Sequence, residues 1–105
     1  MLVFHLQQLK LSDQLVSSGV TTVKGIGTFG FTAQELADAD YVIMSCFTNN
    51  CNVLWDGTSP TTTFGHPLQA GISILAFDGN EKINKIKVVS QTGTSNITFT
   101  LEKYV

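Results

Sequence analysis

Apolar and polar residues alternate with a period of two through most of this chain, and no other feature limits its fold as much. Ile97, Phe99 and Leu101 alternate with polar neighbours, which is typical of a strand with one buried face. Turn signals such as Asp78-Gly79 separate the short apolar stretches. This pattern predicts an all-β fold: a single β-sandwich or barrel-like domain of about eight or nine antiparallel strands.

The chain contains one helix signal. Thr32 and Glu35 are spaced as a capping box, in which each side chain bonds the backbone N–H of the other residue. Asp38 and Asp40 oppose the dipole at a helix C-terminus, so the helix cannot run far. We therefore predict one short helix near residues 33–38.

A nearly continuous apolar run at residues 41–47 predicts a strand that is covered on both faces. Asn49 and Asn50 follow it, and asparagine tolerates the positive φ of a type I′ turn. The resulting hairpin would place Cys46 and Cys51 out of register and on opposite faces, which disfavours a disulfide. We predict two free, buried thiols.

Composition narrows the possible partners. The chain has 105 residues, 13% charged residues and a net charge of −2, and all six basic residues are lysines. This balance predicts no nucleic-acid partner, which would require a basic face. No apolar run is long enough for a membrane helix, and the start lacks the features of a secretion signal. We predict synthesis in the cytoplasm and no membrane partner.

The N-terminal segment has two readings. Residues 1–11 form either an apolar extended arm that adds a strand to a neighbouring copy or the first strand of the domain itself. Residues 12–105 form the β-sandwich, so the chain is one domain overall. Val3, Phe4 and Leu6 are the candidate contact residues of this segment.

The sequence offers little for catalysis. His5 and His66 are the only histidines, and neither lies in a recognisable catalytic motif or a metal-ligand pattern. Asp56 precedes Gly57, where an aspartate typically stabilises a turn. Trp55 fits a core or interface position better than a sugar-stacking platform. We predict no enzyme activity, no catalytic residues, no metal and no cofactor.

Several motifs together resemble one known family. Residues 53–60 read Val-Leu-Trp-Asp-Gly-Thr-Ser-Pro, and Gly-His-Pro-Leu follows at 65–68. Residues 83–90 read Ile-Asn-Lys-Ile-Lys-Val-Val-Ser, and residues 98–102 read Thr-Phe-Thr-Leu-Glu. With residues 31–41, these segments resemble small virion proteins of tailed bacteriophages, over roughly residues 20–103.

The resemblance implies a capsid cement or decoration protein in the virion, bound to the major capsid protein on the outer shell as a homo-oligomer. A trimer follows by analogy with cement proteins at three-fold positions. The alternatives are a head–tail junction or tail component and, in another class, a carbohydrate-binding module that uses Trp55. We expect the loop after Trp55 either to cap the sandwich or to touch a neighbour. The full set of candidate interface residues is Val3, Phe4, Leu6, Trp55, Asp56, Pro60, Phe64, His66 and Pro67.

Overall fold

The computed structural model describes residues 6–16, for which only the backbone is considered, and residues 23–104. Eight strands and two short helices occupy this part of the chain, together with a 3-10 turn at Ile26–Thr28. The strands are β1 (Leu6–Val16), β2 (Lys24–Gly25), β3 (Tyr41–Phe47), β4 (Cys51–Leu54), β5 (His66–Leu68), β6 (Ile74–Asp78), β7 (Lys87–Ser90) and β8 (Ser95–Tyr104). The helices are α1 (Ala33–Asp38) and α2 (Asn80–Ile83).

The strands form two four-stranded sheets. The first sheet has the order β1-β8-β3-β6, and the second has the order β2-β7-β4-β5. All pairs are antiparallel. This architecture confirms the predicted all-β sandwich with a short helix at residues 33–38.

The core lies between the sheets and follows the alternation of the sequence. Every second residue of β3 and β8 is buried, and the intervening residues are partly exposed. At its centre the ring of Phe99 packs edge to face on Phe29 and Phe31, with centroid distances of 4.8 and 6.2 Å. Such edge contacts stabilise aromatic pairs beyond simple burial.

The capping box that predicts α1 is present. The Glu35 N–H donates to Thr32 Oγ1 at 3.1 Å, and the Thr32 N–H donates to Glu35 Oε1 at 2.8 Å. These two bonds satisfy backbone donors that a helix N-terminus would otherwise leave unpaired.

The predicted hairpin between β3 and β4 is wrong. β3 pairs with β6 and β8, whereas β4 pairs with β5 and β7, so the chain crosses from one sheet to the other after Phe47. Within this crossing, Thr48 has a positive φ of 80°. Cys46 and Cys51 therefore lie in different sheets, and both are free and fully buried.

The N-terminal strand β1 pairs with β8 from Leu6↔Tyr104 to Val16↔Ser95. Val3 and Phe4 lie outside the described residues, and the division of the chain at residue 11 stays a prediction. Among the described helices, none has the length and apolar character needed to cross a membrane.

Candidate functional site

Trp55 lies at the end of β4, where the chain leaves the second sheet. Its ring is half-buried and stacks on the imidazole of His66, with centroids 4.6 Å apart and an interplanar angle of 20°. The ring of Phe77 lies 5.3 Å away at 34°. The strand β5 brings His66 to this position because His66 pairs with Val53 on β4. The indole is therefore held in one orientation by two other rings.

The turn after Trp55 fixes a carboxylate. Asp56 Oδ1 accepts hydrogen bonds from the Thr58 N–H at 2.9 Å and from Thr58 Oγ1 at 2.5 Å. These bonds favour the ionised form and hold the pKa of Asp56 below its usual value, with a smaller contribution from the charge of Lys85. Asp56 is thus an exposed group that is anionic at neutral pH.

A buried asparagine holds the rest of the loop. Asn52 donates from Nδ2 to the Thr61 carbonyl at 2.8 Å and accepts a bond from Gln91 Nε2 at 2.8 Å. Gly65 has φ +137°, and a Cβ there would lie only 3.1 Å from the Cβ of Asn52. The loop backbone is therefore packed tightly against β4, and only glycine fits this approach without strain.

The helix α2 lies across from Trp55 and Asp56, and the two sides enclose a cavity that is described below. Asn80 Nδ2 lies 2.8 Å from the carbonyl of Leu36, 3.1 Å from that of Ala37 and 2.7 Å from that of Ala39. Asn84 Nδ2 also donates to the Leu36 carbonyl, at 3.0 Å. The two amides satisfy carbonyls at the C-terminus of α1 and so fix α2 in place.

A cavity of about 430 Å³ lies between these two walls. Within it, Lys85 Nζ pairs with Glu81 Oε1 at 3.2 Å. A smaller cavity of about 130 Å³ lies beside it and also touches Trp55 and Asp56. The larger cavity is lined by Trp55, Asp56, Glu81, Lys82 and Lys85.

The structure brings together three of the predicted interface residues. Trp55, Asp56 and His66 surround the smaller cavity. Pro60 is buried beneath the loop, whereas Phe64 and Pro67 are exposed. Their roles in an interface stay predictions. Leu6 begins β1.

The sequence did not point to the α2 side of the larger cavity. Residues 82–89 look like strand with interspersed lysines, and nothing local places Glu81 or Lys82 beside Trp55. No local signal at Asn80 reveals α2, because the carbonyls that its side chain bonds belong to Leu36, Ala37 and Ala39, more than 40 residues earlier in the chain.

A second surface stands out on the first sheet. Ile72 is 75% exposed, Ile74 is 72% exposed and Phe47 is 48% exposed. The pairing Ser45↔Ile74 places Phe47 and Ile74 on the same outer face, since Phe47 lies two residues beyond Ser45. We call these three side chains, with the exposed Ala76, the β6 patch.

The β6 patch borders a free sheet edge. Within the described part of the chain, β6 pairs only with β3. The other described edges are less open to pairing: β2 has two residues, β5 has three and contains Pro67, and β1 includes Lys10 and Asp13 in its sequence. Short strands, proline and charge are the usual means of blunting an edge, and β6 has none of them before Asp78.

Among the described residues, no group of three or more His, Cys, Asp or Glu side chains could hold a metal ion.

No protein-family model matches the chain, and no curated protein is similar to it in sequence. A solved structure of a cupin 2 conserved barrel domain protein from Salinispora arenicola has a similar fold, with a TM-score of 0.52 and 16% sequence identity. The match covers 95% of this chain and 75% of that chain. At this identity the likeness is one of fold.

This comparison overturns the predicted function. The fold is similar to a cupin barrel domain rather than to a phage capsid protein, so the prediction of a capsid cement protein is wrong. The motifs behind it are mainly turns and alternating strands, such as Asp56-Gly57, and these specify a β-fold without specifying a task. The comparison likewise gives no support to the alternatives, a head–tail junction or tail component and a carbohydrate-binding module that uses Trp55.

Proposed function

We propose that the protein is a non-enzymatic domain that associates with a second copy of itself through strand β6 and the β6 patch. The observation that carries this proposal is the exposure of about three-quarters of both Ile72 and Ile74 beside a strand edge that no other described strand pairs with. Exposed edges with apolar side chains are templates for pairing with another chain.

The position of the patch is fixed by backbone bonds. The Gly71 N–H donates to the Cys46 carbonyl at 2.8 Å, and the N–H groups of Ile72 and Ser73 donate to the Gln69 carbonyl at 3.1 and 3.0 Å. The turn before β6 is therefore tied to β3. Because Ile72 is held in place before association, little conformational entropy is lost when it is covered.

A second copy satisfies the edge without any other partner. An antiparallel strand can pair with its own copy about a two-fold axis, since the outward N–H and C=O groups of β6 are the same in both copies. An axis near Ile74 places the two Ile74 side chains next to each other and brings Ile72 of each copy towards Ala76 of the other. Such an isologous contact closes at two copies, whereas the trimer expected from the sequence would need a different contact.

The apolar area is enough for a modest affinity. The exposed parts of Phe47, Ile72 and Ile74 amount to about two whole side chains per copy. At about 1.5–3 kcal/mol for each side chain buried, two copies gain about 6–12 kcal/mol. The loss of translational and rotational freedom costs about 4–15 kcal/mol. The added hydrogen bonds at the strand edge favour association. Because the ranges of the gain and the cost overlap, we expect any dimer to be weak and to depend on concentration.

Light scattering coupled to size exclusion tests this proposal over chain concentrations from about 1 µM to 1 mM. We expect the mass to rise from that of one chain, 11.4 kDa, towards twice that value. Ile74→Lys places two like charges side by side in the contact and removes apolar burial on both copies. It should weaken association by at least about thirtyfold, because each 1.4 kcal/mol is a factor of ten.

Phe64→Lys is the matched control. Phe64 is 63% exposed and lies in the loop between β4 and β5, outside the β6 patch, so this substitution should leave the dimer intact. A wild-type protein that stays monomeric over the whole range refutes the proposal. The proposal is also refuted if Phe64→Lys dissociates the dimer while Ile74→Lys has no effect, because the contact would then lie at the loop.

A further inference from the structure

We propose that the cavity between Trp55 and α2 binds a small zwitterion, namely a free amino acid with an aromatic side chain. This site is separate from the β6 patch and does not depend on self-association. Its volume of about 430 Å³ lies in the range of small-molecule sites.

The charges of the cavity are balanced but not all paired. Lys85 and Glu81 form an ion pair with each other. Asp56 uses only Oδ1 for its bonds to Thr58, which leaves Oδ2 available to a ligand. The Lys82 side-chain ammonium makes no hydrogen bond or ion pair with any described residue, although its backbone carbonyl accepts from the Lys85 N–H. One carboxylate oxygen and one ammonium group are therefore available in the same cavity.

These two groups match the two charges of an amino acid. The ammonium of Lys82 can bind a ligand carboxylate, and Asp56 Oδ2 can accept from a ligand ammonium. The low pKa of Asp56 keeps its charge available well below neutral pH. A ligand with only one of the two charges would make only one of these two ion pairs.

The aromatic preference comes from Trp55. The indole lines the cavity, and its ring also packs against the rings of His66 and Phe77. Aromatic rings prefer offset-stacked or edge-to-face contacts with one another. Since the ring is already fixed, and Asn80 ties the first turn of α2 to α1, binding requires little reorganisation.

Trp55 is the single tryptophan of the chain, so its fluorescence reports on this cavity directly. The probe is L-phenylalanine, compared with 3-phenylpropionate, which lacks the ammonium, and phenethylamine, which lacks the carboxylate. We expect a saturable spectral change with L-phenylalanine and binding at least about tenfold weaker for the other two, because a charge-assisted bond is worth about that factor. Calorimetric titration of the same three compounds detects binding that does not change the fluorescence.

Two substitutions assign the charges. Lys82→Gln should weaken L-phenylalanine about tenfold and leave phenethylamine unchanged. Asp56→Asn keeps the acceptor for Thr58 and should weaken L-phenylalanine but not 3-phenylpropionate. Lys103→Gln removes the same charge from β8, away from the residues that line the cavity, and should change neither.

Equal binding of the three compounds, or no binding of L-phenylalanine by either method, overturns the proposal. An equal effect of Lys82→Gln and Lys103→Gln also overturns it, because the loss would then reflect net charge alone. The monomeric Ile74→Lys variant should bind L-phenylalanine like the wild type, so failure of this site and failure of the dimer are distinguishable.

Discussion

Replacing Asn80 tests how the wall of the cavity is built. The Asn80 amide lies within 3.1 Å of three carbonyls from the end of α1, those of Leu36, Ala37 and Ala39. An NH₂ group has two hydrogens, so it makes two full hydrogen bonds, and one of these hydrogens also contacts the third carbonyl. Asn80→Ala removes the donors, and Asn80→Asp replaces them with an oxygen that faces the same carbonyls.

The structure sets the size of the effect. Each neutral hydrogen bond contributes about 0.5–1.5 kcal/mol net, so Asn80→Ala should lower the free energy of unfolding by about 1–3 kcal/mol. Asn80→Asp loses the same bonds and adds repulsion between oxygens. A negative charge at the start of α2 returns only about 0.3–1 kcal/mol. We therefore expect the aspartate variant to be the less stable of the two.

Urea unfolding followed by Trp55 fluorescence measures this difference at low micromolar concentration. With a slope of about 1–3 kcal/mol per molar urea, a loss of 2 kcal/mol lowers the midpoint by about 1 M. Gln34→Ala is the control, because Gln34 makes one exposed bond of 2.9 Å to Asp38 within α1. That change should cost only about 0.2–0.5 kcal/mol. The reasoning is refuted if Asn80→Ala lowers the free energy of unfolding no more than Gln34→Ala does. It is also refuted if Asn80→Asp is at least as stable as Asn80→Ala.

Three further outcomes follow from the same structure. Thr32→Ala removes the capping box of α1 and should lower the free energy of unfolding by about 1 kcal/mol in urea titration; an unchanged midpoint would contradict the role of the cap. The Asp56 carboxyl has a lowered pKa in the folded protein, so its contribution to stability is present above its unfolded pKa of about 4 and is lost as the pH falls through its folded pKa. Asp56→Asn should remove that part of the acid dependence, measured as the urea midpoint against pH. Cys46 and Cys51 are fully buried, and the Cys51 pKa is raised first by its hydrogen bond to Cys46 and then by burial; both thiols should react with Ellman's reagent only at the rate of unfolding, and fast reaction in the folded protein would contradict this.

Local signals predicted the elements that depend on neighbours in sequence. The capping box of Thr32 and Glu35 lies within a single helical turn, so its chemistry can be read without the rest of the fold. The alternation around Phe99 likewise sets which face of β8 is buried, because the period of a strand is fixed by its backbone.

Elements set by distant contacts were not predictable. The crossing at Thr48 depends on which sheet offers β4 a partner, and residues such as Asn49 and Asn50 suit either a hairpin or a longer connection. The helix α2 is held by bonds between Asn80 and Leu36, which are 44 residues apart.

In the candidate site too, residues close in sequence could be predicted together, and those brought in by distant contacts could not. Trp55, Asp56 and His66 belong to one loop region, so the sequence placed them in one candidate interface. Lys82 joins them only because α2 packs against α1. The exposure of Ile74 was hidden for another reason: residues on both faces of β6 are apolar, so alternation alone could not show which face is covered.

Isotope-filtered NOE spectroscopy on a mixture of labelled and unlabelled protein tests most directly whether β6 pairs with a second copy. At about 1 mM chain, where a weak dimer is populated, we expect intermolecular contacts between the Ile74 methyl groups of the two copies and from Ile72 of one copy to Ala76 of the other. Samples of Ile74→Lys should lose them. Intermolecular contacts confined to other surfaces, such as the loop that carries Phe64, or none at all at this concentration, would contradict the account.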